Sequence, residues 1–432
     1  MAANRCILAR MANGCGFVVC TMTMCCLLIQ SAFAELPAPR FDRLVPIGAA
    51  AGTTVEVEIA GNDIEGVTAL RFDLPGLTAE PIAEKERWFK VHVSNDVPAG
   101  TYDVFLVGRF GVSNPRLFSV THGLTDVMEQ EPNNVVTEAQ VTGVNVAINA
   151  QSDGNADDLF RVSLRKDQRV VLDCQAGRLD SMLDATMTIA SVDGKQLAAS
   201  ADYLGRDPFI DFVPPADGDY LISLHDLSYR GGFPYRLVIT THPQIENVSP
   251  KVVRAGQPVE LTVWGRNLGA HAKPTNQTLM DLRLDEYRYT VDVPSDIASG
   301  GSYRFIEHPT DHSVLPTAAT CTLMGFQVRP DLPNAVNAQT LMVTDCPVSL
   351  EVEPNDTQDV SQAIALPVVL SGRFDQERDA DWFELEVPQN GQYAVDVFCE
   401  RINGRADPYI VFVDDQGKRV VDAIEMAGGV TA

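Results

Sequence analysis

The stretch "AGTTVEVEIAGNDI" at residues 51–64 returns in the same pattern as "AGQPVELTVWGRNL" at residues 255–268. The two copies align without gaps, and each runs from Ala-Gly through alternating apolar and polar residues to a second glycine. In the first copy Val55, Val57 and Ile59 fall on one face of an extended chain. This two-residue period is typical of a half-buried strand. The stretch therefore predicts a β-module that the chain contains twice.

Short alternating runs continue beyond this strand. "WFKVHV" (88–93) and "AGTYDVFLVG" (99–108) follow it, with the turn sequence "NDVPAG" between them. Many short strands at such spacing are typical of β-sandwiches, and the sequence shows no amphipathic helix of useful length. We predict an all-β fold of tandem β-sandwich domains, immunoglobulin-like and jelly-roll-like.

A second repeat, "EQEPNN" at 129–134 and "EVEPND" at 351–356, is rich in side-chain oxygens. Its Glu-x-Glu spacing places both carboxylates on one side of an extended segment, and its proline pre-orders the backbone. An acidic loop follows in each copy, at 152–158 and at 375–381. Carboxylates crowded in this way repel one another unless a cation lies among them.

Calcium fits this pattern because it takes roughly six to eight oxygen ligands in a flexible shell. We therefore predict calcium as a cofactor, with one site per copy. The alternative is an acidic linker followed by a solvated turn. An EF-hand is excluded because its glycine and its distal glutamate are absent. The candidate ligands of the first site are Glu129, Glu131, Asn133, Asn134, Asp153, Asp157 and Asp158. Those of the second site are Glu351, Glu353, Asn355, Asp356, Asp379 and Asp381.

The repeats divide the chain into a leader and four modules. The fourth module lacks counterparts of the last strands of the second, so we expect it to be truncated. The predicted segments are a signal peptide at 1–34 and β-sandwiches at 35–121, 122–242, 243–348 (with an insertion) and 349–432.

The leader and the charge predict where the protein works. Arg5 and Arg10 precede an uncharged apolar run, and "AFA" at 32–34 fits a signal-peptide cleavage site. The apolar run is short for a membrane span. We expect a secreted, periplasmic or cell-surface protein without a membrane span after cleavage. Its net charge of −25 argues against nucleic acid and anionic membranes as partners.

Four cysteines follow the leader. Cys321 and Cys346 bracket one stretch and are candidates for a disulfide, since an exported protein can keep disulfides. Cys174 and Cys399 lie in apolar strands and are predicted to be buried thiols.

The second and fourth modules resemble the bacterial pre-peptidase C-terminal domain. That family opens with Glu-Pro-Asn-(Asn/Asp), here "EPNN" and "EPND", and continues with a strand of the type "DADWF" (379–383). The first copy departs from this strand, with Ala156 where Asp379 stands. The first and third modules resemble IPT/TIG immunoglobulin-like modules through their Ala-Gly-x-x-Val strand. The resemblance implies small β-sandwiches appended to secreted enzymes, often proteases. It also implies calcium at the EPN segment and, in some relatives, binding of extracellular polymers.

Catalytic motifs are absent from the sequence. "EHPTDH" (307–312) places His308 and His312 four residues apart, but Pro309 opposes a helix, so we predict an exposed loop. Tyr229 and Phe233 beside "RGG" form a candidate contact patch for a polymer. We therefore predict a non-catalytic binding or scaffolding protein that contacts an extracellular polymer, protein or polysaccharide. The alternative is the accessory region of a secreted hydrolase, a peptidase, whose catalytic domain is not in this chain.

Overall fold

The computed structural model describes residues 37–279, 282–293, 295, 303–304, 323–328, 332, 334–337, 339–376, 378–387, 395–399, 404, 406–424 and 430–431. The predicted signal peptide, Cys321 and the loop with His308 and His312 lie outside these residues. The regular structure of the described ranges is β-strand, apart from the 3-10 turns Gly177–Leu179 and Gln358–Val360. The predicted all-β fold is thus confirmed. None of the described helices is long and apolar enough to cross a membrane.

The first sandwich contains nine strands: β1 (Arg40–Val45), β2 (Gly48–Ala50), β3 (Thr54–Asn62), β4 (Val67–Phe72), β5 (Leu77–Pro81), β6 (Trp88–Val93), β7 (Gly100–Gly108), β8 (Gly111–Val112) and β9 (Arg116–Thr121). One sheet has the order β1-β3-β6-β5, and the other has the order β2-β9-β7-β4, with β8 paired to β7. Val57 and Ile59 are buried between the sheets, whereas Glu56 and Glu58 are exposed. The alternation in the sequence predicted these faces.

The second sandwich contains ten strands: β10 (Thr125–Met128), β11 (Gln140–Thr142), β12 (Val146–Gln151), β13 (Asp158–Leu164), β14 (Val170–Gln175), β15 (Ala185–Ser191), β16 (Gln196–Ser200), β17 (Phe209–Phe212), β18 (Gly218–Asp226) and β19 (Pro234–Thr240). They form two five-stranded sheets, β10-β12-β19-β14-β17 and β11-β13-β18-β15-β16. Phe160, Leu172, Ile222 and Leu237 pack in its core. Cys174 is a buried thiol in β14, as predicted, whereas Cys399, also predicted to be buried in a strand, is half-buried and lies outside the described strands.

The third sandwich contains eight described strands: β20 (Gln244–Ser249), β21 (Val252–Arg254), β22 (Pro258–Arg266), β23 (Lys273–Leu279), β24 (Leu282–Asp292), β25 (Tyr303–Arg304), β26 (Leu323–Val328) and β27 (Gln339–Thr344). Its sheets have the orders β20-β22-β24-β23 and β21-β27-β26-β25. β1 pairs with β3 and β20 pairs with β22 in the same antiparallel way, so the repeat in the sequence is a repeat in the fold.

The described strands of the last module are β28 (Val348–Leu350), β29 (Gln362–Ala365), β30 (Val369–Ser371), β31 (Phe383–Glu386), β32 (Asp396–Val397), β33 (Tyr409–Val413), β34 (Arg419–Ile424) and β35 (Val430–Thr431). They form four two-stranded sheets. β29 pairs in parallel with β31, Gln362 opposite Phe383, as β11 pairs with β13, Gln140 opposite Phe160. The start of the last module therefore repeats the register of the second.

Two fully buried arginines lie where successive modules meet. Arg236 of β19 donates to Asp126 Oδ1 at 2.6 Å and to Thr121 Oγ1 at 2.8 Å, which ties the second module to the end of the first. Arg266 of β22 donates to Asp211 Oδ2 in β17 at 2.6 Å, which ties the third module to the second. Each buried guanidinium is paired with a carboxylate, the condition under which a charge is tolerated inside a protein.

Apolar contacts reinforce these joints. Leu179, in a 3-10 turn of the second module, is buried in the core of the first. Leu124 and Val238 of the second module pack with Val336 of the third. The first three modules consequently share buried surface.

Candidate metal centre

The EPN segment of the second module begins directly after β10. Asn133 is completely buried, and its backbone N–H donates to Glu131 Oε2 at 3.0 Å. Its side-chain amide donates to Glu129 Oε1 at 3.2 Å. The other oxygen of Glu129 accepts from the backbone N–H of Gln151 at 3.0 Å. The short segment thus folds back on itself and holds both glutamates in place.

Asp158, the first residue of β13, faces this segment. It is completely buried, and the hydroxyl of Tyr235 donates to its Oδ2 at 2.6 Å. The next residue, Leu159, donates its backbone N–H to the carbonyl of Asn133 at 3.1 Å. This contact fixes the EPN segment against the start of β13.

These contacts bring carboxylate oxygens of the EPN segment and of β13 together in one cluster. One carboxylate oxygen from each of Glu129, Glu131 and Asp158 lies within 4.8 Å of the other two. Within the described part of the chain, the buried Oδ1 atoms of Asn133 and Asp158 have no hydrogen-bond donor. Buried polar atoms are nearly always satisfied, because an unpaired one costs free energy. Oxygens that lack donors and lie beside other carboxylates suit a cation.

The carboxylates of the cluster hold protons more tightly than usual. Burial, followed by the charge of Glu129, raises the pKa of Asp158 to about 8. Burial likewise raises the pKa of Glu129 to about 7. The pKa of Glu131 is also raised, by burial and then by the charge of Asp153. Desolvation and like-charge repulsion both disfavour the ionised form, and a bound cation would relieve both.

The last module repeats the arrangement. The amide of Asn355 donates to Glu351 Oε1 at 3.2 Å, and its backbone N–H donates to Glu353 Oε2 at 3.0 Å. Asp381 takes the place of Asp158, and oxygens of Glu351, Glu353 and Asp381 lie within 4.8 Å of one another. Again the buried Oδ1 atoms of Asn355 and Asp381 lack a donor among the described residues. Burial, then the charge of Glu351, raises the pKa of Asp381 to about 7.

Other candidate ligands lie beside the first cluster. The amide of Asn134 donates to Asp153 Oδ2, so these two side chains pair at its edge. Asp157 accepts from the hydroxyl of Ser223 at 2.6 Å, and the structure does not bring it into the cluster.

Around the second cluster, Asp356 accepts from the side chain of Gln376 at 3.0 Å. Asp379 accepts from the backbone N–H of Asp375. Neither belongs to the group of three carboxylates.

Two residues near the first cluster, Tyr235 and Gln140, were not predicted from the sequence. Tyr235 lies in an apolar strand and packs in the core, so its sequence context does not mark it as a partner of the cluster. Gln140 caps the segment, since its Oε1 accepts from the backbone N–H of Gln130 at 2.8 Å, and Gln362 does the same for Val352 at 2.9 Å. An alignment of the two repeats would reveal this shared glutamine.

No protein-family model and no curated protein matches this chain. Among solved structures, it is similar to the pre-peptidase C-terminal domain of a collagenase from Bacillus anthracis, with 14% identity and a TM-score of 0.21 over 26% of this chain and 99% of that one. It is also similar to SGBP-B of a mixed-linkage glucan utilization locus of Bacteroides ovatus, with 9% identity and a TM-score of 0.19 over 47% of this chain and 75% of that one. A third similar structure is PliG, a periplasmic lysozyme inhibitor of Aeromonas hydrophila, with 16% identity and a TM-score of 0.16 over 27% and 95% of the two chains. At these TM-scores and identities the likenesses support no conclusion about function.

Proposed function

We propose that this chain is an exported, non-catalytic binding or scaffolding protein whose second and fourth modules each bind Ca²⁺. The observation that carries the proposal is the duplicated cluster with the same hydrogen bonds in both copies. In each copy, as far as the chain is described, an asparagine and an aspartate keep a buried oxygen without a donor. A linker or a solvated turn would not bury such oxygens twice.

The kind of ligand favours calcium over magnesium, because Mg²⁺ keeps several waters and is seldom held by a cage of protein oxygens. Oxygens on opposite sides of Ca²⁺ are roughly 5 Å apart, since each bond is about 2.3–2.6 Å, whereas Mg²⁺ draws its ligands about 1 Å closer together. The carboxylate oxygens of Glu129, Glu131 and Asp158 lie within 4.8 Å of one another, a spacing that Ca²⁺ can span. Glu129, Glu131, Asn133 and Asp158 would hold the first ion, and water would complete its shell.

The ion has a structural role in this proposal. It joins the EPN segment to the start of β13 and replaces repulsion between the carboxylates by attraction to a shared cation. The modules at 35–121 and 243–348 are then IPT/TIG-like, and those at 122–242 and 349–432 are pre-peptidase C-terminal-like. Together they present surfaces to an extracellular polymer outside the cell or in the periplasm.

Calorimetric titration of the purified chain with Ca²⁺ tests the proposal. We expect two sites with dissociation constants on the order of 10⁻⁴–10⁻³ M, as in other extracellular modules. Glu131→Gln should remove the first site only, and Glu353→Gln the second only. Glu138→Gln serves as control, because Glu138 is an exposed glutamate near the first site that does not belong to the cluster.

A melting temperature unchanged by millimolar Ca²⁺, together with no heat of binding, would refute calcium binding. Equal stabilisation by Mg²⁺ would refute the choice of ion.

A further inference from the structure

The loop between β18 and β19, residues 227–233, presents an aromatic ring in a fixed position. Tyr229 has a φ angle of 53°, a left-handed conformation that is rare for a bulky residue. Its ring stacks on that of His225, with the ring centres 4.4 Å apart and the planes parallel. Tyr229 is nevertheless 42% exposed, with His225 stacked on one face of its ring. Strained backbone of this kind is concentrated at binding sites.

Hydrogen bonds with Asp226 and Asn155 hold the loop in one conformation. The carboxylate of Asp226 accepts from the backbone N–H groups of Ser228 and Arg230, at 3.0 and 3.1 Å, and from the Arg230 side chain. The backbone N–H of Asn155 donates to the carbonyl of Tyr229 at 3.1 Å. A ring that is already immobilised loses little entropy when a ligand stacks on it.

Polar groups adjoin the exposed ring. The negative charge of Asp157, and a hydrogen bond with it, raise the pKa of the Tyr229 hydroxyl. Asp157, whose Oδ2 accepts from the Ser223 hydroxyl at 2.6 Å, thus lies beside the Tyr229 hydroxyl and provides acceptor oxygens there.

A cleft of about 150 Å³ between the first and second modules adjoins the same loop, because Gly232 and Phe233 of the loop line it. Met182 and Phe233 line it together with Leu44 and Ile47 of the first module. The guanidinium of Arg230 lies over the Phe233 ring at 4.9 Å and so connects the cleft to the Tyr229 loop. Met182 is 63% exposed at its edge. The cleft is too small to enclose a polymer, but it has room for one ring-sized unit of a chain that crosses the surface.

The charges around the cleft are balanced. Arg43 and Arg116 line it, and so do Asp42 and Asp180. Arg116 lies 3.8 Å from Asp180, and Arg43 donates to the carbonyl of Gly232 at 3.0 Å. The cleft thus offers no unbalanced charge for a polyanion or a basic peptide, and the acidic chain as a whole repels polyanions.

We propose that Tyr229 and the adjoining cleft form a binding surface for a neutral polysaccharide. A sugar ring has an apolar C–H face that packs on an exposed aromatic ring, and its rim of hydroxyl groups needs acceptors such as the carboxylate of Asp157. A second sugar unit of the same chain would reach the cleft beside Met182. The inference rests on the proposed function, because it identifies the polymer and the surface that contacts it.

Affinity electrophoresis of the full chain tests this inference. The neutral probes are hydroxyethyl cellulose, dextran and glucomannan, and the charged probes are alginate and poly-lysine. We expect at least one neutral polymer to retard the protein. Tyr229→Ala should weaken that binding at least ten-fold, and Tyr229→Phe, which keeps the ring, should weaken it less. Phe374→Ala is the matched control, since Phe374 is an exposed aromatic residue in another module.

Met182→Glu provides a second test that does not depend on the strained loop. This substitution places a charge at the cleft edge on a side chain that is already in solvent, and it should also weaken binding at least ten-fold. Retardation by none of the neutral polymers would overturn the inference, as would retardation only by a charged one. If Tyr229→Ala and Met182→Glu both leave the binding of a neutral polymer unchanged, the polymer binds elsewhere and the assignment of this surface is wrong. The calcium titration described above reports separately on the proposed function.

Discussion

The hydroxyl of Tyr235 donates a hydrogen bond to Asp158 Oδ2 at 2.6 Å, and both side chains are completely buried. This bond occupies one oxygen of the aspartate, and the other, Oδ1, is buried without a donor among the described residues. It therefore orients a ligand of the proposed ion from outside the group of ligands. Supporting hydrogen bonds of this type hold ligands in position in many metal sites.

Tyr235→Phe is expected to destabilise the protein by about 1–3 kcal/mol, because the substitution leaves a buried aspartate oxygen without its donor. It should also weaken calcium binding at the first site and leave the second unchanged. Denaturant unfolding and calorimetric titration measure the two effects. Tyr220→Phe is the matched control, since the Tyr220 hydroxyl donates to the Ala216 carbonyl, away from the cluster. Equal calcium affinity in both variants would contradict this role.

The pH dependence of stability should differ with and without calcium. Folding raises the pKa of Asp158 to about 8 and that of Glu129 to about 7, mainly through burial. The folded protein therefore retains protons that the unfolded chain releases near pH 4. Without calcium, this contribution to stability is complete below about pH 4 and is lost as the pH rises through the folded pKa values. Calcium should bind more tightly over the same rise, because the ion requires the ionised carboxylates.

Asp158→Asn isolates this effect, because asparagine imitates the protonated side chain. In EGTA we expect the variant to match the wild type near pH 5 and to melt several degrees higher above pH 8. Asp217→Asn is the control, since Asp217 is exposed. A wild type that gains stability relative to Asp158→Asn between these pH values in EGTA would contradict the prediction.

The joint between the second and third modules can be tested at Arg266. Arg266→Met would leave the half-buried Glu246 without its arginine, and the buried Asp211 would keep Arg169 as its remaining arginine. Breaking a buried pair in this way costs about 3–5 kcal/mol. The exposed pair of Arg288 and Glu260 is the control, and Arg288→Met should cost less than about 1 kcal/mol. Similar unfolding free energies for the two variants would show that the joint contributes no more than a surface pair.

The linker between the first two modules contains Gly123, whose φ angle is 67°. A methyl group added there would lie 2.7 Å from the Asn334 Cβ of the third module. Gly123→Ala should therefore lower the melting temperature through backbone strain and through this clash. Gly194→Ala separates the two causes, because Gly194 also has a positive φ but has open space around it. An equal loss of melting temperature in both variants would mean that the contact with Asn334 of the third module contributes nothing to the effect.

The sequence was sufficient for the parts of this structure that depend on local pattern. Alternation identified the buried face of Val57 and Ile59, and the repeated stretches at 51–64 and 255–268 contain the equivalent strands β3 and β22. The EPN segment and the following loop supplied Glu129, Glu131 and Asp158, which the structure brings together. The buried face of β3 follows from a local rule, because side-chain direction in an extended chain depends on residue parity.

The remaining features depend on tertiary contacts. Arg236 and Arg266 lie in strands, where a charged residue predicts a solvent-exposed side chain. Both are nevertheless completely buried, because another module covers them. Tyr235 reads as an ordinary core residue because its partner Asp158 is 77 residues away in the chain. Likewise, Asp157 and Asp158 are adjacent aspartates that the sequence does not distinguish as candidate ligands. The pleat of the strand directs only one of them into the cluster.

Leu179 belongs to one module by sequence and to the core of another by packing. The first sandwich therefore depends on a side chain that the ribosome adds more than fifty residues after that sandwich's last strand, β9, ends at Thr121. During synthesis the core of the first sandwich keeps a cavity until Leu179 fills it, or the first and second sandwiches fold together. A recombination event that moved residues 35–121 alone into a new protein would leave that hole unfilled, so the two sandwiches are expected to be inherited as a pair.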